Sequence, residues 1–136
     1  MQLKDYIPFI NKKYSKVFFS GISFDSSKVK KNDIFFAIKG KKFDGNNYID
    51  TAIKKGAKII ISEKKTKENK NNIIFLYSSN VRKLLANVAY KILDKKPKNL
   101  IAVTGTNGKS SIADFYYQIL NLNFKKVASI GTIGIR

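Results

Sequence analysis

Gly105-Thr106-Asn107-Gly108-Lys109-Ser110-Ser111 is the stretch whose residue types and spacing best suit chemistry. Its two glycines let the backbone bend and bring N–H groups close to an anion. Lys109 adds a full positive charge, and the Ser110 hydroxyl is an oxygen ligand suited to Mg²⁺. An apolar run, Leu100 to Val103, precedes the loop and reads as a buried strand; a helical pattern opens at Ser110. Strand, glycine-rich turn, Lys-Ser and helix N-terminus form the arrangement that grips the phosphates of a nucleoside triphosphate. The usual spacing, G-x-x-x-x-G-K-[ST], would place a glycine at position 103, where this chain has Val103. Spacing alone therefore also fits an ordinary glycine-rich turn with a surface lysine.

Composition narrows the other chemistries. The 136 residues include no histidine and no cysteine, which excludes disulfides, thiolate metal sites and imidazole bases. The formal net charge is +18, carried by 25 lysines and only two arginines, Arg82 and Arg136. Proteins that read bases and phosphates lean on the arginine fork. The lysines are also spread along the chain, so they read as a solvated surface with some attraction for polyanions, substrate phosphates included. No specific nucleic-acid partner is expected. A hydrophobic content of 43% is ordinary for a globular protein. No apolar run is long enough to cross a bilayer, and Met1 to Tyr6 has no secretory apolar region. A cytoplasmic location is expected.

The elements that must position the loop follow from periodicity. Leu3 to Tyr14 has helical spacing, with Pro8 tolerable only near the first turn. Val17 to Phe24 reads as a strand, Asp25-Ser26-Ser27 as a turn and Ile34 to Ile38 as a second strand. Gly40 to Asn47 is a loop, and Tyr48 to Ile53 a helix closed by Lys54-Lys55-Gly56. Lys58 to Ser62 and Ile73 to Tyr77 are strands, separated by a polar loop or frayed helix over 63–72. Ser78-Ser79-Asn80 supplies an N-cap for the amphipathic stripe Val81, Leu84, Leu85, Val88, Ala89 and Ile92. A helix over about Ser110 to Asn121 and a strand over Lys126 to Ile130 follow the loop. Alternating strands and helices predict α/β layering. The Pro97 region divides residues 1–95 from a unit, 96–136, whose two expected strands are marginal without neighbours.

Two separated stretches resemble one family, the Mur ligases. Asp25-Ser26-Ser27-Lys28-Val29, Asp33 to Ile38 with Gly40, then Asp44-Gly45, Tyr48-Ile49, Ala52 and Gly56-Ala57 are similar to the pattern of the family's first domain. That pattern is D-S-R-x-V…G-D-[LI]-F-x-A-x-x-G…D-G…[FY]-I. Thr104 to Ser110 resembles the family's ATP loop, T-G-T-N-G-K-[ST], which is itself the shortened form. Ser129-Ile130-Gly131-Thr132-Ile133-Gly134 is similar to the segment after the first helix in the member that adds the third amino acid of the peptidoglycan stem. Two positions depart from the pattern: Ser27 replaces an arginine and Asn32 a glycine. Asparagine tolerates the left-handed backbone a glycine would adopt; Ser27 removes a forked cation.

The resemblance implies a UDP-sugar-binding α/β domain over 1–95, then the first strand, phosphate loop, helix and strand of an incomplete P-loop-like ATP-binding domain over 96–136. It implies an ATP-dependent, amide-forming ligase of peptidoglycan precursor synthesis. Such a ligase adds the third amino acid to UDP-N-acetylmuramoyl-L-Ala-D-Glu through an acyl phosphate, with ATP and Mg²⁺ and as a monomer. Carried across, the nucleotide site is Gly105, Thr106, Asn107, Gly108, Lys109, Ser110 and Ser111, with Lys109 as the catalytic cation and Ser110 as the metal ligand. Phe24, Ser26, Lys41, Lys42 and Phe43 would bind the UDP substrate. The family's carbamylated lysine, metal-binding glutamate and amino-acid-selecting domain match nothing in these residues, so the chain alone is expected to be inactive. Other readings stay open: a non-catalytic module holding UDP-muramoyl peptide or nucleotide, the related ligase that adds D-Ala-D-Ala, and a charge-driven nucleic-acid binder.

Overall fold

Apolar runs bounded by turn residues set the architecture. The computed structural model describes residues 1–65 and 72–136, so most of the expected polar loop over 63–72 lies outside the described residues. The chain divides into two compact units, Met1–Lys95 and Lys96–Arg136.

In the first unit four parallel strands lie side by side in chain order: β1 (Ile22–Ser23), β2 (Ile34–Ala37), β3 (Ile59–Ser62) and β4 (Ile74–Tyr77). Every residue of β2 and β3 is buried, as expected where helices cover both faces of a parallel sheet. Alternation sorts their side chains between two cores. Ile34, Phe36, Ile59 and Ile61 pack with Leu3 of α1 (Leu3–Tyr6), with Ile7, and with Val81, Leu84 and Val88 of α3 (Val81–Ile92). Phe35, Ala37 and Ile60 point the other way, toward Ala52 of α2 (Ile49–Lys54), Ala57 and Val29. The Asn80 side chain caps α3 by accepting the Lys83 N–H at 2.9 Å. After α2 the chain turns at Gly56 (φ +109°), whose carbonyl accepts the Asn32 N–H at 2.8 Å. Asn32 itself adopts φ +65°, the left-handed conformation anticipated for it.

Two expectations are corrected in this unit. The first helix ends at Tyr6, because Ile7 precedes Pro8 and takes an extended conformation; a separate 3₁₀ turn forms at Lys12–Tyr14. The strand expected over Val17 to Phe24 shrinks to Ile22–Ser23, with Phe18 making only an isolated bridge to Gln2. Between them the Ser20 N–H turns to the Asn32 carbonyl, and Gly21 lies against the Asp33 carboxylate, where a Cβ would come within 2.8 Å of an oxygen.

The second unit holds α4 (Lys109–Leu122) and an antiparallel hairpin of β5 (Ile130–Gly131) and β6 (Gly134–Ile135). The buried strand expected at Leu100 to Val103 is absent: among the described residues nothing pairs with it, and Leu100 is 88% exposed. An apolar run becomes a strand only when a neighbour accepts its backbone hydrogen bonds. The strand expected over Lys126 to Ile130 is likewise displaced, and only Ile130 belongs to one. The strand–loop–helix–strand unit is thus present as loop, helix and hairpin.

Candidate functional site: a phosphate loop and a carboxyl sheet edge

The loop before α4 takes its shape from its glycines. Gly105 (φ +148°) and Gly108 (φ +74°) both occupy backbone conformations that other residues rarely adopt. Gly108 is the N-cap of α4, and no side chain there accepts a hydrogen bond from the first turn. The helix therefore keeps its partial positive charge and its N–H donors for an external anion. The Lys109 ammonium folds back and donates to the carbonyls of Gly105 and of Thr106, the latter at 3.0 Å. An ammonium has three donors, so one stays outside that pairing. Gly105 through Ser111 are all exposed.

The hairpin meets the start of α4 through two side-chain links. Ser110 Oγ lies 2.8 Å from Thr132 Oγ1, in the turn between β5 and β6. One helical turn on, the Asp114 carboxylate accepts from the Arg136 guanidinium and from Gln118 Nε2 at 2.7 Å. Reciprocal backbone hydrogen bonds between Ser129 and Arg136, at 3.1 and 3.0 Å, close the hairpin. A cleft of about 20 Å³ lies among Ser110, Asp114, Ser129, Thr132 and Arg136. That is room for about one water. Loop backbone, cation and hydroxyl fit a triphosphate, and the Ser110 oxygen fits a hard cation arriving with it; among the described residues no acidic or imidazole cluster forms a separate metal cage.

The first unit presents a different surface. In parallel sheets ligands bind beyond the carboxyl ends of the strands. Phe24 and Ser26 follow β1 there, and Lys41, Lys42 and Phe43 follow the adjacent β2. Phe24 and Phe43 are 66% and 71% exposed, Lys41 and Lys42 are exposed, and Ser26 is half-buried in a 3₁₀ turn. The structure thus puts these five residues on neighbouring loops at one edge of the sheet, with Ser26 turned partly inward.

Two aspartates shape those loops. Asp25 Oδ1 accepts from the Ser27 hydroxyl at 2.7 Å and from its N–H at 2.9 Å. These bonds hold its carboxyl below the usual carboxylate range, helped by Lys28 and Lys55. Asp44 Oδ1 accepts from the Asn46 N–H at 2.9 Å and its amide at 2.6 Å, and its pKa is lowered for the same reason, with Lys64 assisting. Asn46 Oδ1 in turn accepts from Ser62 Oγ at 2.6 Å, tying the loop after β2 to the end of β3. Gly45 fits because a Cβ there would sit 2.7 Å from the Ile38 nitrogen. Asn46, Ser62, Asp114 and Thr132 are absent from the sequence-derived site. Asp44-Gly45-Asn46 carries a turn signal that points to the first; the Ser110–Thr132 pair spans 22 positions and leaves none.

Comparison with known proteins places the chain in a family. The description "Mur ligase family, catalytic domain" matches residues 19–100. The UDP-N-acetylmuramoyl-L-alanyl-D-glutamate–2,6-diaminopimelate ligase of Rickettsia rickettsii is 48% identical over 118 residues, covering 85% of this chain and 24% of that protein. The ligase of the same name from Buchnera aphidicola (Schizaphis graminum) is 40% identical over 124 residues, covering 85% and 25%. A solved structure of a ligase of that name superposes on 100% of this chain and 28% of its own, with a TM-score of 0.78 and 26% identity. The MurF ligase of Thermotoga maritima in complex with ADP covers 74% of this chain and 23% of its own, with a TM-score of 0.57 and 32% identity. The chain spans about a quarter of the length of the curated relatives it matches. With its parallel sheet and its match over residues 19–100, the chain belongs to the Mur ligase family.

Proposed function

We propose that this chain supplies the UDP-substrate domain and the ATP loop of a ligase that adds 2,6-diaminopimelate to UDP-N-acetylmuramoyl-L-alanyl-D-glutamate. The observation that carries the reading is the 48% identity to a ligase of that name, over 118 residues. In the proposed reaction the γ-phosphate of ATP passes to a substrate carboxylate. The amine of the incoming amino acid then attacks the acyl phosphate, releasing phosphate and forming the amide. Catalysis of this kind is mainly positioning and stabilisation of phosphoryl charge. Backbone N–H groups of Gly105 to Ser111 would cradle the phosphates, and Lys109 would release its loop carbonyls to neutralise them. Ser110 would hold Mg²⁺, which when bound shields the charge between phosphate oxygens. Phe24, Ser26, Lys41, Lys42 and Phe43 would hold the UDP group, the lysines facing the diphosphate and an aromatic ring offering a surface for uracil. Under this reading the ligase works in the cytoplasm as a monomer, and the remaining catalytic groups belong to the part of the relatives that this chain does not cover.

Calorimetric titration of the chain with Mg-ATP and, separately, with UDP-muramoyl dipeptide tests both halves. Saturable binding of each is expected, with Lys109→Ala weakening Mg-ATP at least tenfold and leaving the UDP ligand unaffected. Equal ATP affinity in Lys109→Ala would refute the role given to the loop.

A further inference from the structure

We propose that Thr132, in the hairpin turn, is a positioning residue that orients the Ser110 hydroxyl for the metal of the nucleotide site. The inference rests on the nucleotide reading of the loop given above. A serine hydroxyl has one proton and two lone-pair directions. To give a lone pair to a cation it must send its proton elsewhere, and a freely rotating hydroxyl on an exposed helix end has no fixed choice. Thr132 Oγ1, 2.8 Å away, is within reach to accept that proton, either hydroxyl being able to donate across this contact. With the Ser110 proton on Thr132, both Ser110 lone pairs are left for the phosphate side, and the Thr132 proton turns to solvent, to which that residue is exposed.

Thr132 is held there by features independent of the loop. Its turn is closed by the Ser129–Arg136 backbone pair, and Arg136 anchors the hairpin to α4 through Asp114, four residues after Ser110. The hairpin thus contacts α4 at Ser110 and again one turn later. This fixes the direction from which Thr132 reaches the hydroxyl.

The test is titration of the chain with ATP, with and without Mg²⁺, for the unsubstituted protein, Ser110→Ala, Thr132→Val and Thr132→Ser. Valine keeps the shape of threonine and removes the hydroxyl. The expected result is that Mg²⁺ strengthens ATP binding in the unsubstituted chain, and that Ser110→Ala abolishes this gain. Thr132→Val should reduce the gain about three- to tenfold and leave metal-free ATP affinity and the helical circular dichroism unchanged, with Thr132→Ser restoring it. A full Mg²⁺ gain in Thr132→Val, or no rescue by Thr132→Ser, would overturn the role of Thr132 while leaving the loop assignment standing. Failure of the unsubstituted chain to bind ATP at all would instead overturn the nucleotide reading and this inference with it.

Discussion

The two units of this chain solve different problems with similar local grammar. In Met1–Lys95 the strands are flanked on both faces, and every buried hydrophobic side chain among the described residues lies there. In Lys96–Arg136 no residue is buried, although α4 carries Ile112, Phe115, Ile119 and Leu122 and the hairpin adds Ile130 and Ile135. The second unit nevertheless shapes the glycine loop before α4, because that loop needs only two permissive glycines and a helix N-terminus. Burial makes the sheet framework of the first unit; local backbone geometry shapes the glycine loop of the second. The difference locates the chain's stability in the first unit and its most recognisable chemistry in the second.

The sharpest way to break that comparison is to remove matching side chains from each unit. Ile61 is fully buried between β3 and the α1/α3 layer, so Ile61→Ala loses both transfer energy and packing. The expected cost is about 2–5 kcal/mol. Ile119→Ala on α4 removes the same atoms from a side chain that is 59% exposed, and should stay within about 0.5 kcal/mol. Urea unfolding followed by circular dichroism reads both. A loss at Ile119 equal to that at Ile61 would mean that the second unit has a core of its own.

The same contrast explains what could be read from the sequence. The runs Ile34 to Ala37 and Ile59 to Ser62 and the Asn80-capped stripe of α3 were legible, because continuous apolar strands and a 3.6-residue period are local patterns. Leu100 to Val103 carries the same signal as Ile59 to Ile61 yet forms no strand, since pairing depends on a neighbour and not on the run itself. The early end of α1 at Tyr6 has an equally local cause, since Pro8 restricts Ile7 to an extended backbone. The glycine conformations at the candidate site, and that of Asn32 in the turn before β2, followed from residue type. The Ser110–Thr132 contact and the Asn46–Ser62 tie did not, because each depends on how separate segments dock.

Glycines give a finer version of the comparison. Gly45 lies against the end of β2, where a Cβ would meet the Ile38 nitrogen and oxygen at 2.7 and 2.8 Å. Backbone atoms cannot swing aside, so Gly45→Ala should cost about 1–3 kcal/mol and loosen the loop bearing Lys41, Lys42 and Phe43. Gly131 in the hairpin has nothing within 4 Å of the same position. Gly131→Ala should be neutral to within about 0.5 kcal/mol. Thermal midpoints of the two variants, measured side by side, decide it; equal losses would show that the hairpin is packed as tightly as the sheet edge.

The smallest expected effect is the acid response of the first unit. Asp25 and Asp44 each accept two hydrogen bonds as carboxylates, from Ser27 and Asn46 respectively, and each has a pKa lowered by them. A pKa lower in the folded than in the unfolded chain means that the unfolded chain binds protons first as pH falls. The contribution of these groups to stability is therefore complete above the unfolded value, near about 4, and is lost as pH falls through the lower folded values. Asparagine can accept the same local bonds without titrating, so Asp25→Asn and Asp44→Asn should retain the turns and flatten the loss of stability below about pH 4. Urea midpoints measured from pH 6 downward test this. An unchanged acid slope in the double variant would show that the acid response arises outside the two aspartate turns, and would remove them from the features that set the first unit apart.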